Sequence, residues 1–308
     1  MVWFPGIQGQ GEGAEIIEFR QSDTVNKGPW MSFAQSTLIL IGHGSTVNDR
    51  SAESVYQHAA EVRRRGIFGE VREAFWKQEP FLEKVAAETK AARVFFVPLL
   101  VSEGYFSEVA IPKRLGFLRE GEAGFDRIMR RENQTLVYCK PVGTHRGITE
   151  LLHARAVGVL RDFPFPRAAK PAEATLFVVG HGTEQNDNSR KSIEAQVIAI
   201  RDKKLFAAVQ ALFLEEDPRV GRWPELAHTR NVVVVPFFMG DGMHVEQDIP
   251  VLLGEAARIV DQRVKANQPP WRNPTEKHGK RVWYSRSVGS HEGMVELIVA
   301  RVREAVGD

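Results

Sequence analysis

The sequence predicts an α/β fold of two tandem, similar domains, each a roughly four-stranded parallel sheet flanked by helices. Three observations predict it. Short apolar runs without alternation recur, notably Thr37 to Ile41, Arg93 to Val101, Thr175 to Val179 and Val232 to Phe238, the pattern of strands covered on both faces. Stretches of helical length separate them, and strand–helix alternation implies parallel strands joined by right-handed crossovers. The second half also repeats the first. Gly42-His43-Gly44-Ser45 returns as Gly180-His181-Gly182-Thr183, Pro80 as Pro218 and Pro98 as Pro236, each at an offset of 138, and the segment from Tyr138 to His145 returns as Tyr284 to His291 at an offset of 146. A repeat this long denotes a duplicated domain rather than a solenoid.

In chain order, residues 1–35 are glycine-rich and weakly patterned, which predicts a tail or surface arm. Gly9-Gln10-Gly11 within it has no preceding strand and is not a dinucleotide loop. Residues 36–161 form the first domain: a strand at Thr37 to Ile41, a helix near Asp49 to Arg65, a strand at Glu70 to Trp76, and a helix from Pro80 to about Lys90. The strands Arg93 to Val101 and Thr135 to Val142 follow, the latter closed by Gly143-Thr144-His145 and a helix through Ala156. Asp162 to Ala174 carries three prolines and reads as a linker, residues 162–174. Residues 175–308 form the second domain, with strands at Thr175 to Val179, Val209 to Leu214, Val232 onward and Arg281 to Val288.

Composition narrows the function. The chain has 308 residues, 43% hydrophobic and 26% charged, enough for two ordinary domains with buried cores. A formal charge of +2 and the absence of a basic run give no reason to expect nucleic acid or a membrane surface as partner. Cys139 is the only cysteine, which excludes intramolecular disulfides and thiolate zinc clusters and suits a reducing cytosol, so a cytoplasmic location is expected. No apolar run approaches the roughly 18 residues of a membrane span, and no secretory signal is evident at the N-terminus.

Three potential ligands of the second half fall just past the carboxyl ends of three strands: His181, Glu215 and His244. Parallel strands place those ends on one sheet edge, where open α/β sheets bind ligands. Two imidazoles and a carboxylate suit a borderline divalent metal such as cobalt, nickel, iron or zinc. Each residue alone reads as a turn, packing or helix-start residue; the coincidence at three matching strand ends favours a site. Asp248, four positions after His244, shares its helical face and is placed to orient it. Arg190 and Lys191 lie near a helix start, where they could meet an anionic substrate or simply form a solvated face. The first half keeps His43 but has Lys77 where the second has Glu215, and Phe106 where it has His244, so metal chemistry is expected in the second domain only. Phe106 is expected to pack on a flat ligand or to fill core. His145 and His291 are expected to be structural turn residues.

The strand ending in Gly-His-Gly-Ser/Thr, the Phe213-Leu214-Glu215 end before Pro218, and the block from Pro236 to Pro250 together resemble the sirohydrochlorin cobaltochelatase/ferrochelatase family, the ATP-independent class II tetrapyrrole chelatases, in its long two-repeat form. The resemblance spans Thr37 to Ala305, and its specific part is Pro236 to Pro250. It implies that His181 and His244 bind the metal and help remove pyrrole protons, with Glu215 contributing a carboxylate. It implies a divalent metal as substrate, Co²⁺ foremost and Fe²⁺ or Ni²⁺ next, and sirohydrochlorin or a related tetrapyrrole as partner, in cobalamin or siroheme biosynthesis. It implies no ATP, and no Gly-x-x-x-x-Gly-Lys-Ser/Thr loop is present. Long members often carry the histidine pair in the first half; here the second half has it. The competing readings are a non-catalytic tetrapyrrole or metal carrier and, less well supported, a histidine phosphatase. The latter needs an arginine beside the strand-end histidine to hold phosphate, and Gly180 and Gly42 stand there.

Overall fold

Strand β1 (Ser36–Gly42) is buried at all seven positions, and its alternate residues enter different cores. Leu38 and Leu40 join one apolar cluster while Ile39 and Ile41 join another, so a run without alternation is what a central strand with two dry faces requires. The computed structural model describes residues 33–46, 50–182 and 188–307. Most of the expected N-terminal arm, with Gly9-Gln10-Gly11, lies outside them. Phe33, at its end, is buried and stacks on Phe68 at 5.2 Å.

The first repeat continues through α1 (Arg50–Arg65), β2 (Glu70–Phe75), α2 (Leu82–Glu88), β3 (Arg93–Pro98), a π-turn at Phe106–Ala110 running into α3 (Ile111–Leu115), β4 (Ile128–Arg131), β5 (Gln134–Tyr138) and α4 (Ile148–Asp162). The second comprises β6 (Ala174–Gly180), α5 (Asn188–Asp202), β7 (Ala208–Phe213), α6 (Trp223–Leu226) and β8 (Asn231–Pro236). It then has a π-turn at His244–Asp248 running into α7 (Ile249–Leu252), α8 (Ala257–Lys265), β9 (Thr275–Lys277), β10 (Lys280–Tyr284) and α9 (Met294–Ala305). Helix α1 buries Ala52, Val55, Ala59 and Val62, one stripe at helical spacing. It stops at Gly66, whose φ of 63° only glycine adopts without strain.

The sheets have orders β2-β1-β3-β5-β4 and β7-β6-β8-β10-β9. Four strands of each are parallel, as expected. Each sheet adds a fifth strand, β4 or β9, paired antiparallel at the edge. They are short and largely exposed, with charged residues such as Arg130, Arg131 and Lys277, so they carry no apolar pattern to read. Among the described residues no helix is long and apolar enough to cross a membrane.

Each sheet covers its outer face with its own helices, and the two inner faces share a third core. That core includes Leu38, Val55, Phe95 and Ile148 from the first repeat and Leu176, Val197, Trp283 and Ile298 from the second. Several hydrogen bonds across the junction occur in reciprocal pairs. Ser54 Oγ donates to the Met239 carbonyl at 2.7 Å, and Ser192 Oγ to the Val101 carbonyl at 3.0 Å. Arg155 Nε donates to the Ser287 carbonyl at 3.2 Å, and Arg301 Nε to the Pro141 carbonyl at 3.1 Å. Residue i of one repeat meets residue j of the other, and j meets i, which is the signature of a twofold relation.

Candidate metal-binding site

The sequence Gly-His-Gly at the end of β6 is dictated by space and backbone. A Cβ on Gly180 would meet Ile193 Cδ1 at 1.9 Å, and one on Gly182, whose φ is +70°, would meet Glu216 at 2.7 Å. Gly180 is also buried, so the arginine that histidine-phosphatase chemistry needs has no room there. The histidine between these glycines is fixed at the sheet edge, its carbonyl accepting the Glu215 N–H at 3.0 Å. His244 opens the π-turn after β8, and Tyr284 Oη anchors that turn on the Val245 carbonyl at 2.6 Å. Such one-turn π segments recur at functional sites because they re-aim side chains within a helix start.

These two elements bring the imidazoles of His181 and His244 together, with ring centroids 4.9 Å apart and planes at 81°. Both Nδ1 atoms are occupied. His181 Nδ1 lies 2.8 Å from the Gly182 carbonyl, and His244 Nδ1 lies 2.6 Å from Asp248 Oδ2. A carbonyl or carboxylate oxygen can only accept, so Nδ1 carries the hydrogen and a neutral ring presents its lone pair at Nε2. The side chains are 39% and 40% exposed, open enough to meet a ligand. Asp248 lies on the far side of His244 from the free nitrogen.

Glu215 does not complete a three-ligand cluster. Its Oε2 lies 3.6 Å from His181 Nδ1, the occupied nitrogen, and its side chain is 56% exposed. Among the described residues no group of three His, Cys, Asp or Glu side chains is arranged to hold a metal. The matching strand ends did bring Glu215 to His181; they could not tell which face of the ring it meets. Arg190 is committed elsewhere, to Glu216 at 2.6 Å and Glu194 at 2.9 Å, with its guanidinium over the Phe213 ring. Neither Arg190 nor the exposed Lys191 lines the cleft.

That cleft is a cavity of about 760 Å³ between the strand ends of the two repeats. His181, Phe238, Met239 and His244 line one wall, and His43, Lys77, Tyr105 and Phe106 the other. On the second wall Phe106 stands edge-on to His43 at 5.0 Å and 80°, almost the geometry of the histidine pair with a phenyl in place of one imidazole. His43 Nδ1 likewise faces the carbonyl of the next glycine, at 3.1 Å. Its pKa is lowered by burial above all, and further by the Lys77 charge, against the raising effect of the Gly44 carbonyl. His145 and His291 behave as turn residues, each accepting the N–H two residues on, from Gly147 and Gly293, at 3.0 Å. Sequence reasoning gave no place to Tyr105 and Met243, exposed on the cavity wall at matching positions; the repeat offset was the signal that could have found them.

Two sheets bring their strand ends to one cleft, with two imidazoles presenting Nε2 on one wall, and the proteins this chain is similar to are tetrapyrrole chelatases. The chain belongs to the CbiX family, whose profile matches residues 37–158 and again 175–305. It is 36% identical over 284 residues to a probable sirohydrochlorin cobaltochelatase of Halobacterium salinarum, covering 88% of this chain and 93% of that one. A sirohydrochlorin cobaltochelatase of Methanopyrus kandleri is 26% identical over 141 residues, 43% of this chain and 97% of that one. Among solved structures, a multi-domain Deinococcus radiodurans protein described as similar to chelatases superposes with a TM-score of 0.69 at 26% identity. The match covers 88% of this chain and 55% of that one, so the chain spans about half its length. SirB from Bacillus subtilis, a sirohydrochlorin chelatase solved with cobalt, shares the fold with a TM-score of 0.58 at 15% identity, over 88% and 95% of the two chains.

Proposed function

We propose that this enzyme inserts a divalent metal, Co²⁺ foremost, into sirohydrochlorin or a closely related polycarboxylate tetrapyrrole lying in the cleft. The observation that carries the reading is the His181–His244 pair, 4.9 Å apart on the cleft wall with both Nδ1 atoms engaged. Family membership and the names of the relatives support the substrate. The incoming metal is held by the two Nε2 lone pairs. As four pyrrole nitrogens take the metal, those lone pairs are released, and two pyrrole N–H protons must leave. Two vacated imidazole nitrogens for two protons is a balanced exchange that requires no nucleotide. A carboxylate lies beside each ring, Asp248 at 2.6 Å from His244 Nδ1 and Glu215 at 3.6 Å from His181 Nδ1.

Positioned general bases contribute about 10²–10⁴-fold to a rate. The test is anaerobic absorbance spectroscopy of sirohydrochlorin with Co²⁺, comparing wild type with His244→Ala. Wild type is expected to accelerate the spectral change and the variant to run near the uncatalysed rate. An unaffected variant would remove the site. A wild type that binds metal and tetrapyrrole without acceleration would make the protein a carrier. The same assay with Fe²⁺ and Ni²⁺ ranks the metals.

A further inference from the structure

The wall facing the histidine pair has a chemistry of its own. Lys77 leaves the backbone at the point equivalent to Glu215: its N–H donates to the His43 carbonyl at 3.0 Å, as that of Glu215 donates to His181 at 3.0 Å. Two equivalent backbone positions thus carry opposite charges, and only the lysine lines this cavity. Lys77 is exposed and lines that cavity. Among the described residues lining it there is no aspartate or glutamate; the ionisable side chains near the strand ends are Lys77, His43, His181 and His244. No carboxylate of the described residues pairs with the Lys77 ammonium, whereas Arg190, near the end of the matching strand in the second repeat, is paired with Glu216. Beside Lys77 the rings of Phe106 and Trp76 stand edge-on at 5.5 Å, with Tyr105 against Phe106 at 5.9 Å. An unpaired lysine on open surface needs no explanation. A lysine on the wall of a cavity without described acids, next to an aromatic cluster, is suited to a flat ligand with an anionic rim.

We propose that Lys77 anchors a peripheral carboxylate of the tetrapyrrole while Phe106 meets its flank, so that the first repeat sets the orientation of the macrocycle over the metal pair. This rests on the chelatase reading and adds the residue that selects a macrocycle with carboxylates around its whole rim over one with two on a single edge. Lys77 is a positioning and specificity residue; no proton or metal passes through it. The arrangement gives the first repeat a use for the strand-end geometry it retains.

The experiment measures binding without metal, by fluorescence quenching, for uroporphyrin (eight carboxylates) and mesoporphyrin (two), with wild type, Lys77→Met, Lys77→Arg and Lys77→Glu, and KM and kcat for cobalt insertion into sirohydrochlorin. Loss of a charge-assisted contact is expected to weaken uroporphyrin about tenfold in Lys77→Met. Lys77→Glu is expected to weaken it further and Lys77→Arg to stay within about twofold, with mesoporphyrin nearly indifferent to all three. The effect on turnover is expected in KM rather than kcat, and to shrink at high salt. Lys77→Met within twofold of wild type on uroporphyrin, or Lys77→Arg as weak as Lys77→Met, overturns the proposal, and so does a wild type that does not bind uroporphyrin. A wild type that binds but fails to speed insertion sinks the chelatase reading instead, and the binding series still decides the role of Lys77.

Discussion

The two walls of the cleft are built by the same backbone and differ in a few side chains. Each has a Gly-His-Gly strand end, a histidine Nδ1 turned to the next carbonyl, and a π-turn held by a tyrosine hydroxyl, Tyr138 on Ser107 at 2.8 Å and Tyr284 on Val245 at 2.6 Å. Even the ring geometry is kept, 5.0 Å and 80° against 4.9 Å and 81°. What changes is donor chemistry: a phenyl for an imidazole, an ammonium for a carboxylate, and Ala110 for Asp248. The difference teaches that the scaffold specifies where a side chain stands, while the residue type alone decides whether metal can be held there.

The largest effect that could break the comparison is on insertion rate. His244→Ala is expected to cost about 10²-fold or more, and Phe106→Ala at the matching position far less. Equal losses would mean that the first wall also takes part in the chemistry. A stability effect should instead be shared. Gly289 and Gly143 approach the chain leaving the third strand so closely that a Cβ would lie 2.2 Å from the Met239 backbone and 2.4 Å from the Val101 backbone. Gly289→Ala and Gly143→Ala are each expected to cost roughly 1–3 kcal/mol by overpacking, read by urea denaturation. Asp248→Asn should weaken Co²⁺ binding by about 10- to 100-fold, measured by calorimetry, because it loosens the hold on His244.

The smallest effect concerns pH. Burial lowers the pKa of His43, His58, His145, His153 and His291. A histidine whose folded pKa lies below its unfolded value of about 6.5 takes its proton more readily in the unfolded chain, so stability is lost as pH falls through and below that value. Tm should therefore drop between pH 7.5 and 5.5 in thermal scans. His58, whose Nε2 donates to the Gly289 carbonyl at 2.7 Å across the junction, has Gln196 as its counterpart in the second repeat. His58→Gln makes the junction more symmetric and should flatten that slope.

Much of this was legible in the residues. The parallel strands were readable because β-branched and aromatic runs such as Val232 to Val235 serve two dry faces at once, and the repeat because prolines and glycines kept their spacing. His181 and His244 were readable because strand topology alone brings their positions to one edge. The edge strands β4 and β9 were not, since exposed charged segments carry no period. Nor was the side from which Glu215 meets His181: a strand end fixes where a Cα sits, while rotamer and ring orientation depend on packing that no spacing records. The reciprocal junction was hidden for the same reason, for Ser54 and Ser192 are ordinary helix serines until the partner carbonyl is in place.

That reciprocal junction has a genetic consequence. A relative of half this length, such as the 141-residue match, holds one copy of the unit. Were such a chain to close an equivalent cleft by pairing with itself, every codon would be expressed on both walls, and a phenyl gained on one would cost an imidazole on the other. With both copies on a single polypeptide, each wall answers to its own codons. Mutation can then convert one strand end to recognition while the other keeps its metal ligands, without disturbing the contacts that hold the halves together.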